Sequence, residues 1–373
     1  MKNNGITEYF EEVETEEKYN GYFCRIPEVI TIAILGSMCG LKNVSQIHQW
    51  ASNDRVSEFL KEKFGINHVP CYYWILCMLK MIKTETLNQC FANWVYSFMP
   101  GNAKDLTISL DGKTICSTNI IEKIESPLHI ISAQISELGL TLAQRSTDDK
   151  SNEIPAVQEL LKTLNIKGHI VVADALNCQK ETAEIIIKKE ADYLFCVKDN
   201  HPNLKKDIED FIQDEMIKNT MECISKTEKN YGRVETRTAY VSSEIEWLEQ
   251  KQECKNLFCI GAVHTEFESK KGKSNEWHYY ISSRPLTADE LLHHARMEWA
   301  VESMHWLLDV HFEEDWCLIE DKVLQQHLNM FRKAAINLIK LFKSRTKSKI
   351  SISKIMLDCL IDSLSILRVI GQN

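Results

Sequence analysis

Through the first hundred residues apolar positions recur at helical spacing. Pro27 is placed to open a helix that carries Val29, Ile30, Ala33, Ile34 and Met38 and stops at Gly40. Residues 44–50 and 56–64 read as two further helices, separated by the loop Ala51-Ser52-Asn53-Asp54. Pro70 precedes another, rich in Tyr72, Tyr73, Trp74, Ile75 and Leu79, and residues 87–98 make one more. Aromatics at helical spacing can grip nucleic-acid bases but more often fill a core, and core is the expectation here. Pro100-Gly101-Asn102 then breaks the pattern and marks a domain boundary.

From Leu106 the period changes to two. Short β-forming runs at 106–110, 113–117, 128–135 and 138–144 predict an antiparallel meander. A helix over about 152–164 follows, begun by Ser151 with Glu153 and Ile154 inside it. Residues 168–174 form a short apolar strand, buried on both faces, with Asp174 at its carboxyl end. A helix near 178–190 and a strand at 193–197 complete a strand–helix alternation, which predicts an α/β layer with a parallel section. Residues from about 200 to 278 are charged and uneven and read as an insertion of mixed strands, with the tip Lys270-Lys271-Gly272-Lys273-Ser274 exposed. The strand 279–283 returns the chain to the main body, and beyond 321 the pattern is helical.

Composition narrows the class. Hydrophobic content of 44% with 26% charged residues fits a globular chain long enough for two or three domains. The apolar run 29–41 is shorter than the roughly 20 residues a membrane span needs. The acidic opening, residues 1–17, does not read as a signal peptide, so a cytoplasmic location is expected. Thirteen cysteines contain no C-x-x-C pair, which argues for reduced, buried thiols over zinc ligands. The net charge of −9 disfavours a bulk phosphate partner, although it says little about any one face. One segment, 332–354, carries eight basic residues and no acid; it is either a solvated face or a surface for a DNA backbone.

Candidate chemistry rests on three acids. Asp111-Gly112 within 107–116 reads either as a hairpin turn or as a strand whose Asp111 aims into a metal site, with Gly112 giving room. Alone, the turn is favoured. Asp174 ends a strand, where ligand groups of open α/β sheets gather, or simply starts the turn into the next helix. Thr287-Ala-Asp-Glu290 is a capping box that starts a long helix. Down one face of that helix run Leu292, Ala295, Trp299, Glu302, Trp306 and Asp309, an apolar stripe with a carboxylate in its middle. An ionised acid there costs several kcal/mol unless paired, either with Arg296 or with a divalent cation shared with other carboxylates. Glu298, about one turn earlier, is the rival acid. Two strand-end aspartates and a helical glutamate suit magnesium, and two such ions about 4 Å apart can drive phosphodiester displacement.

With these residues in view the chain resembles the DDE transposases of bacterial insertion sequences, in the family of the H-repeat-associated proteins. The resemblance runs from the helical N-terminal region to about Asp315. It is carried by Leu110-Asp-Gly-Lys-Thr114, Lys150-Ser-Asn-Glu-Ile154, Asp174-Ala175 with Cys178-Gln179-Lys180, and the stretch Tyr193 to Asn200. Gly232-Arg-Val-Glu-Thr-Arg237, Tyr280-Ile-Ser-Ser283 and Trp299 to Asp315 continue it in the same order. The chain departs from the family pattern at Val301-Glu302-Ser303, at His201 and at Cys71-Tyr72-Tyr73.

The resemblance implies a ribonuclease H-like catalytic core of α/β class (residues 101–200 and 279–320) with a β-rich insertion (201–278). A helical N-terminal domain (1–100), for DNA-end binding or assembly, would precede it, and a helical C-terminal region (321–373) would follow. It implies Asp111, Asp174 and Glu302 as catalytic, metal-binding acids, with Mg2+ or Mn2+, two ions, as cofactor. Lys113, Arg233, Arg237 and Arg296 are candidate DNA phosphate contacts. The implied reaction is cleavage at element ends and strand transfer into target DNA. The implied partners are the terminal inverted repeats, the target DNA and at least a second copy of the chain. Two other functions fit the same residues: a catalytically silent DNA-binding or assembly protein, and a metal-dependent nuclease that joins no strands.

Overall fold

The computed structural model describes residues 5–17, 24–99, 104–115, 128–147, 152–214, 220–230, 233–252, 254–269, 272–298, 300–317 and 319–371. Five helices come first: α1 (Ile26–Met38), α2 (Val44–Ala51), α3 (Asp54–Phe64), α4 (Tyr72–Met81) and α5 (Thr84–Tyr96). Every residue of α1 is buried, as expected of a helix apolar on all sides. The aromatic run at the start of α4 departs from its expected place. Tyr72, Tyr73 and Trp74 lie on the outside, Tyr73 at 70% exposure, while Ile75, Met78 and Leu79 form the buried face.

The sheet begins with β1 (Thr107–Thr114), β2 (His129–Ile135) and β3 (Leu140–Thr147), an antiparallel meander. Of the runs expected as two strands around Asp111-Gly112, residues 107–114 are one strand, so no turn occurs there, and 116–117 lie outside the described residues. After α6 (Glu153–Thr163) come β4 (Ile170–Ala173), α7 (Lys180–Lys188) and β5 (Asp192–Val197). β4 runs parallel to both β1 and β5, giving the α/β layer its parallel section. α8 (Pro202–Gln213) then leads to β6 (Glu222–Asn230), β7 (Arg233–Ser242), β8 (Cys259–Ser269) and β9 (Gly272–Ser282). These four strands are antiparallel and join the same sheet, because β9 pairs with β5 as well as β8. The sheet has nine strands in the order β3-β2-β1-β4-β5-β9-β8-β7-β6, and the fold is mixed α/β. Of the expected exposed tip, Lys270 and Lys271 lie outside the described residues.

The helix expected from Thr287 onward is described over Ala288–Glu298 (α9) and Ala300–Phe312 (α10); Trp299 between these stretches lies outside the described residues. The capping box is present: Thr287 N and Oγ1 donate to Glu290 Oε2, and Glu290 N donates to Thr287 Oγ1. α11 (Lys322–Thr346), α12 (Ile352–Ile361) and α13 (Ser363–Ile370) follow. Among the described residues no helix is long and apolar enough to cross a membrane.

α11 corrects the expectation for the basic segment 332–354. Its first part is core, with Arg332 and Lys333 each about 1% exposed. Arg332 Nη2 donates to the Lys42 carbonyl, and Lys333 Nζ donates to Ser132 Oγ at 2.7 Å and Gln144 Oε1 at 2.8 Å. Lys340, Lys343 and Arg345 donate to the backbone carbonyls of Gly139, Ile350 and Arg368. The spacing of these bases follows the needs of a docked helix, and at least Arg332 and Lys333 belong to no DNA-facing surface. Asn337 meets β3 at Thr141 with both amide atoms, accepting from its N–H at 3.0 Å and donating to its carbonyl at 2.9 Å. Asn88 of α5 accepts from Gln144 N. Together they satisfy backbone groups on the edge strand of the sheet, which would otherwise invite pairing with another chain.

Burial pushes the Lys333 ammonium down to about 7, with Lys113 adding to the effect and Glu314 opposing it. The unfolded chain therefore binds the extra proton between pH 7 and about 10, so this residue makes stability rise with pH across that window. Chemical denaturation of wild type and Lys333→Met at pH 7 and pH ~10 should show wild type gaining on the variant as pH rises. A difference independent of pH would mean that the ammonium is not buried.

Candidate active site

Strand register builds the site. β1 and β4 pair Thr107 with Ile170 and Leu110 with Ala173, so the next residues outward, Asp111 and Asp174, sit at one level on neighbouring strands. Such strands lie about 4.8 Å apart. Two contacts fasten α9 along β1: Thr107 Oγ1 meets His294 Nδ1 at 2.8 Å, and Ser109 Oγ donates to the Met297 carbonyl at 2.9 Å. They carry the first turn of α10, with Glu302, toward the carboxyl end of β1. Asp111, Asp174, Glu298 and Glu302 line one cavity of about 320 Å3, together with Leu110, Cys196, Lys198, Glu276 and His278. The three acids expected from the sequence thus share a cavity, and the rival Glu298 shares it too.

The apolar stripe expected around Glu302 sits differently. Val301, Met304, Leu308 and Phe312 form the buried face of α10, while Glu302 is exposed and Trp306 is 61% exposed. Glu302 therefore stands on the open flank of the helix, without the burial cost expected for it. That cost falls on Asp111 and Glu298. Burial, together with Asp174, Glu153 and Glu302, raises the Asp111 carboxyl to about 6, against the Gly112 N–H that lowers it. Burial raises Glu298 to about 7; Asp174, Asp111 and Glu302 push the same way and Lys198 opposes.

Each strand acid has a polar neighbour behind it. Asp174 Oδ1 accepts from Asn177 Nδ2 at 3.0 Å, and the same amide donates to Glu153 Oε1 at 3.3 Å. Glu153 Oε2 is 3.1 Å from His129 Nε2, whose Nδ1 lies 2.9 Å from Thr114 Oγ1. Gly112 faces this group. Its role is to admit His129 and Glu153, where the sequence suggested room for the cavity itself. On the other side of Asp111, His305 Nδ1 lies 3.4 Å from Oδ2. Burial lowers the His305 imidazole to about 3, helped by Lys333, Lys113 and His129.

Three of the four candidate phosphate contacts have protein partners. Lys113, its side chain 14% exposed, is ion-paired with Asp309, with Glu314 at 3.5 Å and with Asp315 at 3.6 Å. Arg237 pairs with Glu235 and Glu228, and Arg296 with Glu228. The side chain of Arg233 lies outside the described residues. Lys198, Glu276, His278 and His305 were missed as site residues. Lys198 follows β5 as Asp174 follows β4, so the same strand-end argument reaches it; Glu276 and His278 alternate on β9 and share a face.

Among the described residues, one group brings three possible metal-ligand atoms within 4.8 Å of one another: Glu137, His293 and His294. It sits at the opposite end of β1. The Thr107 hydroxyl lies between its members, donating to Glu137 Oε1 at 2.6 Å and contacting His294 Nδ1, and Arg284 Nη2 lies 3.4 Å from His294 Nε2. A hydroxyl bridge and a guanidinium explain that group without an ion. The acids of the cavity stand in a wider ring.

An acid-rich cavity at the carboxyl end of a parallel strand pair is the setting of oxygen-ligated metal chemistry, and comparison with known sequences gives its family. Residues 129–338 match the Transposase DDE domain, and residues 7–95 match its associated region, DDE_Tnp_1-associated. The chain belongs to the DDE transposase family. The protein named "Putative protein YbfL", from Escherichia coli K12, is 32% identical over 92% of this chain and 91% of its own length. The protein named "H repeat-associated putative transposase YhhI", from the same organism, is 31% identical over 87% of this chain and 88% of its own. A solved piggyBac transposase synaptic complex with hairpin DNA aligns over 98% of this chain and 76% of that one, at 9% identity and a TM-score of 0.43. Asp174 and Glu302 fall inside the region matched to the Transposase DDE domain, and Asp111 lies ahead of it.

The close approach behind Asp111 is testable. A Cβ on Gly112 would stand 2.4 Å from His129 Nε2 and 3.1 Å from Glu153 Oε2. Gly112→Ala should destabilise the protein by about 1–3 kcal/mol in denaturant titration. An unchanged midpoint would show that the His129 ring does not pack against this glycine.

Proposed function

We propose that the chain is an active DNA transposase, cleaving element ends and joining them to target DNA at the Asp111–Asp174–Glu302 cavity. The observation that carries this reading is the single cavity shared by three acids that are far apart in sequence. The donor set fits a divalent cation. The cavity is lined by the carboxylates of Asp111, Asp174, Glu276, Glu298 and Glu302, against one lysine, Lys198. Hard oxygen donors in that number suit Mg2+ or Mn2+, and the wider ring leaves room for two ions. When bound, they would supply a Lewis acid and an oriented nucleophile for phosphodiester displacement.

The chain's own residues do the rest. Asp111, Asp174 and Glu302 hold the ions, and Asn177 orients Asp174. Lys198 supplies the positive charge that faces a phosphate. The meander β1–β3 followed by parallel β4 and β5 is the part we read as a ribonuclease H-like core, within residues 101–200 and 279–320. Residues 1–100 would serve DNA-end binding or assembly, and 201–278 are the β-rich insertion. The partners in this reading are double-stranded terminal repeats, target DNA and a second copy of the chain. The silent DNA-binding alternative predicts DNA binding through the basic segment at 332–354, and the burial of Arg332 and Lys333 weakens that route.

Asp111→Asn, Asp174→Asn and Glu302→Gln should each lower Mg2+-dependent cleavage of element-end DNA roughly a hundredfold or more, the equivalent of several kcal/mol of lost transition-state stabilisation. Gel assays with and without Mg2+ measure it. Equal cleavage by wild type and all three variants would remove the assignment.

A further inference from the structure

Among the described residues, the side chain that contacts Asp111 from outside the acidic ring is His305. It lies on α10 one turn beyond Glu302, and its neighbours Met304 and Leu308 are buried in the core, so the helix under it is anchored. Its Nδ1 is 3.4 Å from Asp111 Oδ2, while its Nε2 is buried with no hydrogen-bond partner. A neutral imidazole has one proton to place. Nε2 offers that proton no acceptor, whereas at Nδ1 a carboxylate is within reach. The arrangement therefore selects the tautomer that donates toward Asp111.

We propose that His305 is a positioning residue: its Nδ1–H holds Oδ2 of Asp111 and so turns Oδ1 toward the cavity. The terminal torsion of an aspartate is broad and roughly two-fold, so a fixed donor on one oxygen decides where the other points. Glu302 and His305 share one helix, so the same contact also sets the spacing between the first and third acids. Asn177 does the corresponding work for Asp174, donating from a buried amide to Oδ1. The inference rests on the metal-site reading above.

Asparagine places its amide nitrogen near the position of Nδ1, whereas glutamine reaches toward the position of Nε2. The test compares H305N, H305Q, H305A and D111N in the full chain. It uses Mn2+ binding by calorimetry, the Mg2+ dependence of cleavage, and thermal melting to confirm the fold. H305A and H305Q should raise the Mn2+ Kd, and the Mg2+ concentration for half-maximal cleavage, by about tenfold or more. H305N should stay near wild type, and D111N should lose the binding. If D111N loses Mn2+ while H305A binds as wild type, the positioning role is overturned and the metal reading stands. If H305N is as impaired as H305Q, with losses that follow melting temperature, His305 is only a core residue and the inference fails. If D111N binds Mn2+ as tightly as wild type, the metal reading itself fails and takes this inference with it.

Discussion

The register between β1 and β4 is the constraint on which the site depends. A slip of one residue would turn Asp111 or Asp174 to the opposite face of the sheet. Burial on both faces prevents it. Val171 and Ala173 of β4 face the main core with Ile108 and Leu110, while Ile170 and Val172 face a second core with Leu291, Leu292 and Ala295 of α9. The apolar strand that looks unremarkable in sequence is thus the rail that sets two carboxylates side by side. Their mutual repulsion is opposed by packing over the whole length of β4; the Asp111 carboxyl is raised first by its burial there and then by Asp174 beside it.

Charge is sorted by depth around this point. Lys113, two residues along the same strand from Asp111, has its own ring of Asp309, Glu314 and Asp315. Glu314 is fully buried and also reaches Arg332 at 3.5 Å. A half-buried cluster in which Lys113 and Arg332 face three acids therefore adjoins a cavity in which acids outnumber bases more strongly. Such clusters are weak sources of net stability, but breaking one partner is costly. The two groups divide the work, one holding the C-terminal helices to β1 and the other left with unneutralised oxygens.

Much of the architecture was legible in the sequence because period and punctuation agree there. The helical start at Pro27, the strand before Asp174, the capping box at Thr287 and the α/β alternation all appear where expected. What failed did so for physical reasons. Asp111-Gly112 has turn chemistry, yet seven pairings with β2 run straight through it. The stripe through Glu302 and Trp306 counted apolar residues without the rotation of the helix, which buries Val301 and Met304 instead. The basic segment on α11 looked like a surface because sequence does not show that a lysine can end on Ser132 and Gln144 inside the core. Of the cavity's acids, Asp174 was legible from its strand end, while Asp111 and Glu302 were picked out by the family resemblance. His305 required the fold to bring it in.

The shared strand β9 has a consequence for how this chain could shrink. Its last four residues bond to β5 on one side and β8 on the other, and the Ser283 hydroxyl accepts from the Tyr193 N–H. Excising 201–278 would leave residues 279–282 as a bare edge strand beside β5 and strip from Leu194, Cys196 and Tyr280 the cover of Ala239, Val241, Cys259 and Val263. The appendage is a girder of the building: trimming it would yield a sticky remnant prone to self-association, not a minimal enzyme.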